Sequence, residues 1–253
     1  MDPGTAIGLV ALGLFVGLYG TIIGAGGGFV MIPALVLLFD LQGATAVGTG
    51  AVALMVIGLT GAASYSRSGL VAWPVAAWFA VGAIPLALLS AWLLANRIDA
   101  DAFIGILGVL LLALAVIVAT GRHQHRAGGA ELPARPDRLV PSGALVGLTS
   151  GTFAVGGGLV TVPILERVQR MVAHRATATT SATAWASSFA GSVGHTIAGN
   201  VEWDNAGVLA VAAMAGSAIG AKVAGRLAPG TVRALVAVGL VAAGVPLVVD
   251  ALA

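Results

Sequence analysis

The chain has 253 residues, 58% of them hydrophobic and 9% charged, with a formal net charge of +2 and a mean hydropathy of +1.03. Soluble domains carry about 25% charged residues, so this chain lacks the polar groups to coat a water-facing globule. The lack of cysteine excludes disulfides, thiolate nucleophiles and cysteine-based metal centres. A pI near 9.7 reflects membrane orientation and not nucleic acid, because the bases sit between long apolar runs.

Residues 3–39, 41–66, 68–96, 102–121, 139–165 and 176–201 contain no Asp, Glu, Lys or Arg. A spanning helix needs about 20 apolar residues, and the runs lack the alternation of barrel strands. The expected fold class is an all-α polytopic membrane protein. Met1–Thr5 holds an acid and no base, unlike a cleaved signal peptide, so the first apolar segment is expected to be retained. In chain order, a first repeat (1–120) is expected to hold a hairpin with arms 5–23 and 29–39, then helices 43–65, 72–95 and 102–120. A polar linker, 121–140, follows. The second repeat (141–253) is expected to hold a hairpin with arms 141–155 and 159–166, then helices 175–197, 205–225 and 231–250. Run 139–165 is too long for one span and too short for two, and Gly156–Gly158 and Pro163 interrupt it. Glycine and proline disfavour continuous helix by about 1 and 3 kcal/mol. The second hairpin is therefore expected to be re-entrant; the first is long enough nearly to span.

The division into repeats rests on an internal echo. Gly13–Leu35 reads GLFVGLYGTIIGAGGGFVMIPAL and Gly143–Leu165 reads GALVGLTSGTFAVGGGLVTVPIL, with 10 of 23 positions identical at an offset of 130. Ala44-Thr45-Ala46 returns as Ala176-Thr177-Ala178, and Gly61, Gly69, Val71 and Trp73 return as Gly191, Gly199, Val201 and Trp203. With both termini outside and the linker cytoplasmic, eleven of the twelve bases fall inside and only Arg97 outside, as the positive-inside rule requires. An odd number of segments per half then inverts the second half, giving an inverted-topology repeat of the kind found in secondary transporters.

The tips Gly24–Gly28 and Ala154–Gly158 are candidate anion sites. Broken backbone at membrane depth is tolerated only where it is buried in protein or lines a cavity. Gly26, Gly27, Gly28, Gly156, Gly157 and Gly158 each precede a short helix whose N-terminal N–H groups attract anions; the alternative is close helix packing. Leucine at Gly27 or Gly157 is expected to abolish transport in a folded protein. Nearby hydroxyls, Thr45 and Thr49, then Thr177, Thr179, Thr180, Ser181 and Thr183, suit an oxyanion, or else bond their own i−4 carbonyls. His195 is the titratable side chain within a charge-free run, suited to proton transfer or to a carbonyl bond. His174 and Arg175 either recruit anions or anchor the inner face. The five tryptophans read as interface or packing residues. His123 and His125 are too weak a pattern for a metal, and no cofactor is expected.

These motifs are familiar as a set. GTIIGAGGGFVMIPAL at 20–35, ATAVGTG at 44–50, GAASYSRSGLVAW at 61–73, GTFAVGGGLVTVPIL at 151–165, HRATATTSA at 174–182 and GSVGHTIAGNVEW at 191–203 make the chain resemble the sulfite exporter TauE/SafE family of bacterial membrane permeases. The resemblance covers nearly the whole length. It implies an inner-membrane, multi-pass transporter of a small anion such as sulfite, sulfoacetate or a related organosulfonate, with no enzymatic activity. Leu41-Gln42-Gly43-Ala44 departs from the family-like His174-Arg175-Ala176. The expected function is a secondary transporter using alternating access, with the lipid bilayer as its setting and a coupled proton or sodium ion as a candidate partner. A passive anion channel is the close alternative. An intramembrane serine protease using Ser192 or Ser150 with His195 is the remote one.

Overall fold

With hydrocarbon outside and few polar side chains within, helix is the conformation that satisfies the backbone internally. The computed structural model describes residues 3–24, 26–94, 97–120, 131–155, 158–224, 227 and 229–251. These form α1 (Pro3–Ile23), α2 (Gly28–Phe39), α3 (Gly43–Arg67), α4 (Trp73–Leu93), α5 (Ala100–Thr120), α6 (Pro136–Phe153), α7 (Thr161–Val168), α8 (Ala173–Ile197), α9 (Trp203–Ala224) and α10 (Pro229–Asp250). Six of them, α1, α3, α4, α5, α9 and α10, are long and apolar enough to cross a membrane, so the chain is a multi-pass membrane protein. The short arms α2 and α7 complete the two hairpins. Helix α6 starts within the expected linker, because Pro136 at its first turn and Asp137 beside it suit a helix N-terminus.

Helix α1 runs along α9, α6 along α4, α3 along α8 and α5 along α10. Glycines set the first two of these contacts. A Cβ on Gly13 would meet the backbone of Leu209 and Ala213, and one on Gly143 the backbone of Phe79 and Ala83. Gly17 and Gly147 meet the carbonyls of Ala213 and Ala83 in the same way. The two seams are thus one contact made twice, at positions 130 residues apart in the chain. Small residues let backbones approach where no hydrophobic drive between helices exists.

The backbone turns recur in the same register. Gly24 and Ala154, Asp40 and Arg170, Gly69 and Gly199 all have positive φ. Two crossed bonds fix that register: the Glu202 N–H donates to Thr49 Oγ1 at 3.1 Å and the Ala72 N–H to Thr179 Oγ1 at 3.0 Å. Each hydroxyl thereby satisfies a backbone donor at the start of α9 or α4 that has no partner inside its own helix. Helices α3 and α8 begin at equivalent positions, Gly43 and Ala173, and are both 25 residues long. The expected match of Ala44–Ala46 with Ala176–Ala178, which slips by two positions from the hairpin offset, is therefore not the structural register. Thr177 stands opposite Val47, and Thr45 opposite Arg175. A three-residue Ala-Thr-Ala pattern is too short to set register against these bonds.

Gly143→Leu drives a side chain into the α4 backbone, where overpacking costs about 1–3 kcal/mol or more. It should lower the melting temperature in detergent or prevent recovery of monodisperse protein. Gly207→Leu, with no atom within 4 Å of the added Cβ, should melt as the parent does.

Candidate functional site

The site begins where α1 breaks. Gly24, Gly26 and Gly27 follow its end at φ 68°, 72° and 83°, a region where a Cβ is strained. The Gly24 N–H donates to Thr21 O at 3.3 Å and the Gly26 N–H to Gly20 O at 3.2 Å, closing α1. Gly27 O accepts from the N–H groups of Val30 and Met31, both at 3.0 Å, opening α2. Helix geometry leaves the first N–H groups of α2 without partners inside that helix, at its positive end. A Cβ on Gly28 would strike the Ala154 carbonyl, so the first break abuts the second. There Ala154 takes φ 52° and its N–H donates to Ser150 O at 2.8 Å. Gly158 O accepts from the Val162 N–H at 3.0 Å. Gly156 and Gly157 lie outside the described residues.

Carbonyls at the broken ends need donors, and equivalent side chains supply them. Tyr65 Oη donates to Thr21 O at 3.4 Å, and His195 Nε2–H donates to Gly151 O at 2.9 Å. Donors and acceptors alike occupy equivalent positions of the two repeats. His195 is 0% exposed, and its Nδ1 has no partner among the described residues. Donation to a carbonyl requires the neutral ring to carry its proton on Nε2. The serine dyads are not assembled: Ser192 Oγ donates to Phe189 O at 2.8 Å, and Ser150 Oγ to Ser187 Oγ at 3.5 Å.

A cavity of about 360 Å³ opens beside the breaks. Ile22 and Ile23 from α1, Val118 from α5 and Val232 and Val236 from α10 give it one wall. Tyr65, His174, Thr177, Gly158 and Glu166 line the other side. Thr177 packs its methyl against Gly24. His174, exposed at the rim, stands edge-on to Tyr65 with ring centroids 6.3 Å apart. At the offset of 130 the counterparts of Tyr65, Val162, Thr177, Leu159 and Ile22 are buried: His195, Ile32 and Val47 are 0% exposed, Phe29 1% and Thr152 4%. Ala44, Val36 and Phe153 are half-buried, and Ile106, the counterpart of Val236, is exposed.

Of the residues expected from sequence, Gly158, Thr177 and His174 meet at the cavity, next to the tip formed by Gly26, Gly27 and Gly28. Thr49 is fully buried on the Glu202 N–H. Ser181 Oγ donates to Thr177 O at 3.3 Å. Thr45, near the start of α3, lies outside the cavity lining. Arg175 pairs with Glu131 at 2.9 Å. Leucine at Gly27 would collide with Val16, so that substitution disturbs the fold as well as the tip. Gly26, with no atom within 4 Å of an added Cβ, is the position with room. Two lining residues were not expected. Glu166 lies one residue beyond a charge-free run, and Tyr65 was visible only as the counterpart of His195.

Helix breaks buried in a bundle of membrane-spanning helices, with a polar-edged cavity beside them, are a construction that permeases use. The chain belongs to the sulfite exporter TauE/SafE family, whose profile matches residues 9–247. It is 26% identical to a probable membrane transporter protein of Bacillus subtilis, YunE, over 96% of this chain and 97% of that protein. A probable membrane transporter protein of Methanocaldococcus jannaschii is 28% identical over 62% of this chain and 60% of its own length. One from Xylella fastidiosa is 32% identical over 43% of the chain and 42% of its own length. No solved structure matches.

The hydroxyls separate by stability. Thr49→Val strands a buried N–H, at a cost of about 1–3 kcal/mol, and should lower the melting temperature. Thr177→Val keeps the methyl on Gly24 and should leave the melting temperature unchanged.

Proposed function

We propose that this permease is a secondary transporter of a small sulfur-containing anion, such as sulfite, sulfoacetate or a related organosulfonate. Its two repeats, 1–120 and 141–253, form an inverted pair joined by the cytoplasmic linker 121–140. Both termini lie outside the bacterial inner membrane. The anion binds between the hairpin tips, at the N–H groups of Gly27 and Gly28 and of the second tip, Gly156–Gly158; the Gly26 N–H is committed to Gly20 O and supports the tip instead. Thr177 supplies the hydroxyl; Thr49 and Ser181 are committed to backbone partners and support the framework instead. His174 recruits anions at the rim. His195 holds the outer hairpin end, and a proton or sodium gradient drives the cycle.

The observation that carries this reading is an inequality at the offset of 130: Tyr65, Thr177, Val162 and Leu159 line a cavity, while His195, Val47, Ile32 and Phe29 are buried. An inverted repeat with one open and one closed side is the arrangement alternating access needs, with the two sides exchanging when the hairpins rock. It favours a carrier over a channel, because no continuous path is required.

The decisive experiment is flux of labelled sulfite and sulfoacetate in proteoliposomes, with and without an imposed proton gradient. Flux should saturate with substrate, show trans-stimulation, and fall on the order of tenfold in Thr177→Val, a loss equal to one good hydrogen bond. Unaltered flux in Thr177→Val overturns the tip site, and large unitary currents would identify a channel.

A further inference from the structure

The cavity is larger and more apolar than a bare oxyanion needs. At about 360 Å³ it holds roughly twelve water volumes, at the lower end of the about 300–1,000 Å³ typical of pockets for small organic molecules. Its polar side chains are few: Thr177 and His174 from α8, Tyr65 from α3 and Glu166 from α7, set among apolar lining that includes Val162 and Pro163 of α7, Val118 of α5 and Val232 and Val236 of α10. Ile22 and Ile23 at the end of α1 continue that apolar wall up to the glycine tip. A fully hydrated oxyanion gains nothing from this wall and loses water against it.

We infer that the cavity takes an anion carrying an apolar tail of several carbons, in preference to a bare oxyanion. This rests on the reading above that the cavity is the anion site, and it specifies the substrate class within that reading. The acidic head lies at Gly158 and Thr177, and the tail lies along Val118, Val232 and Val236.

The test is calorimetric binding of sulfite, sulfoacetate and the straight-chain alkanesulfonates from methane- to hexanesulfonate, with the full chain in nanodiscs and empty nanodiscs as blank. Affinity should rise about fourfold per methylene over the first several carbons and then level off where the wall ends. Thr177→Val should weaken every member by a common factor. Val118→Ser/Val232→Ser should flatten the chain-length slope, with Val232→Ser alone serving if the double variant does not fold. Sulfoacetate, which has no apolar tail, should bind more weakly than propanesulfonate. A flat series, or sulfite binding as tightly as pentanesulfonate, overturns the tail and leaves the anion site standing. A slope unchanged in the wall variants is partitioning into lipid and also overturns it. Absence of binding by every anion overturns the anion site itself.

Discussion

A helix that stops inside a membrane exposes carbonyls and N–H groups where no water can reach them, and each left unsatisfied costs several kcal/mol. This chain ends α1 and α6 against each other inside the bundle. The carbonyl of Thr21 at the end of α1 and that of Gly151 at the end of α6 are bonded by Tyr65 and His195. Helices α3 and α8 supply these donors, which explains why both are held in the centre of the bundle against each other. The breaks, the tips that follow them and the cavity beside them all depend on this arrangement. A tyrosine and a histidine at equivalent positions perform the same task because each presents one hydrogen-bond donor at the end of a flat ring.

The surrounding bundle meets the same constraint by other means. Glycines along α1 and α6 bring their backbones against α9 and α4, so dispersion contacts replace the hydrophobic drive that lipid cannot provide. Thr49 and Thr179 reach across to the first N–H groups of α9 and α4. Thr21 Oγ1 donates to Ser217 Oγ at 2.8 Å, and Ser217 Oγ donates to the Ile57 carbonyl at 3.3 Å, tying the broken end of α1 to α9 and α3. Most hydroxyls in this protein therefore satisfy backbone. Thr177 differs in combining half-burial, contact with a tip glycine and a place in the cavity wall.

The two sides of the bundle use similar backbone turns and different side chains. At the cavity, His174 and Thr177 stand where the other side has Ala44 and Val47. Val47 is fully buried, whereas His174 and Thr177 bring hydrogen-bonding capacity to the cavity wall. Repeated backbone with unequal side chains is what allows one framework to offer a binding surface on one side and a seal on the other.

Composition and charge-free runs determined the membrane class, and the glycine triplets marked where the helices break, because glycine alone takes positive φ without a Cβ to strain or collide. The echo between the halves was legible for the hairpins, whose Gly and Pro positions carry conformational information. It was illegible in the helix that follows, where Ala and Thr repeat too freely to mark register. The fate of each hydroxyl was decided by tertiary structure alone: nothing local to Thr49 reveals that Glu202, far along the chain, supplies its partner. The same holds for Glu166, whose neighbours in sequence are those of any short helix end and whose neighbours in space are the cavity walls. Local sequence controls where a backbone must bend; which polar groups remain for a substrate depends on which ones distant backbone has already engaged.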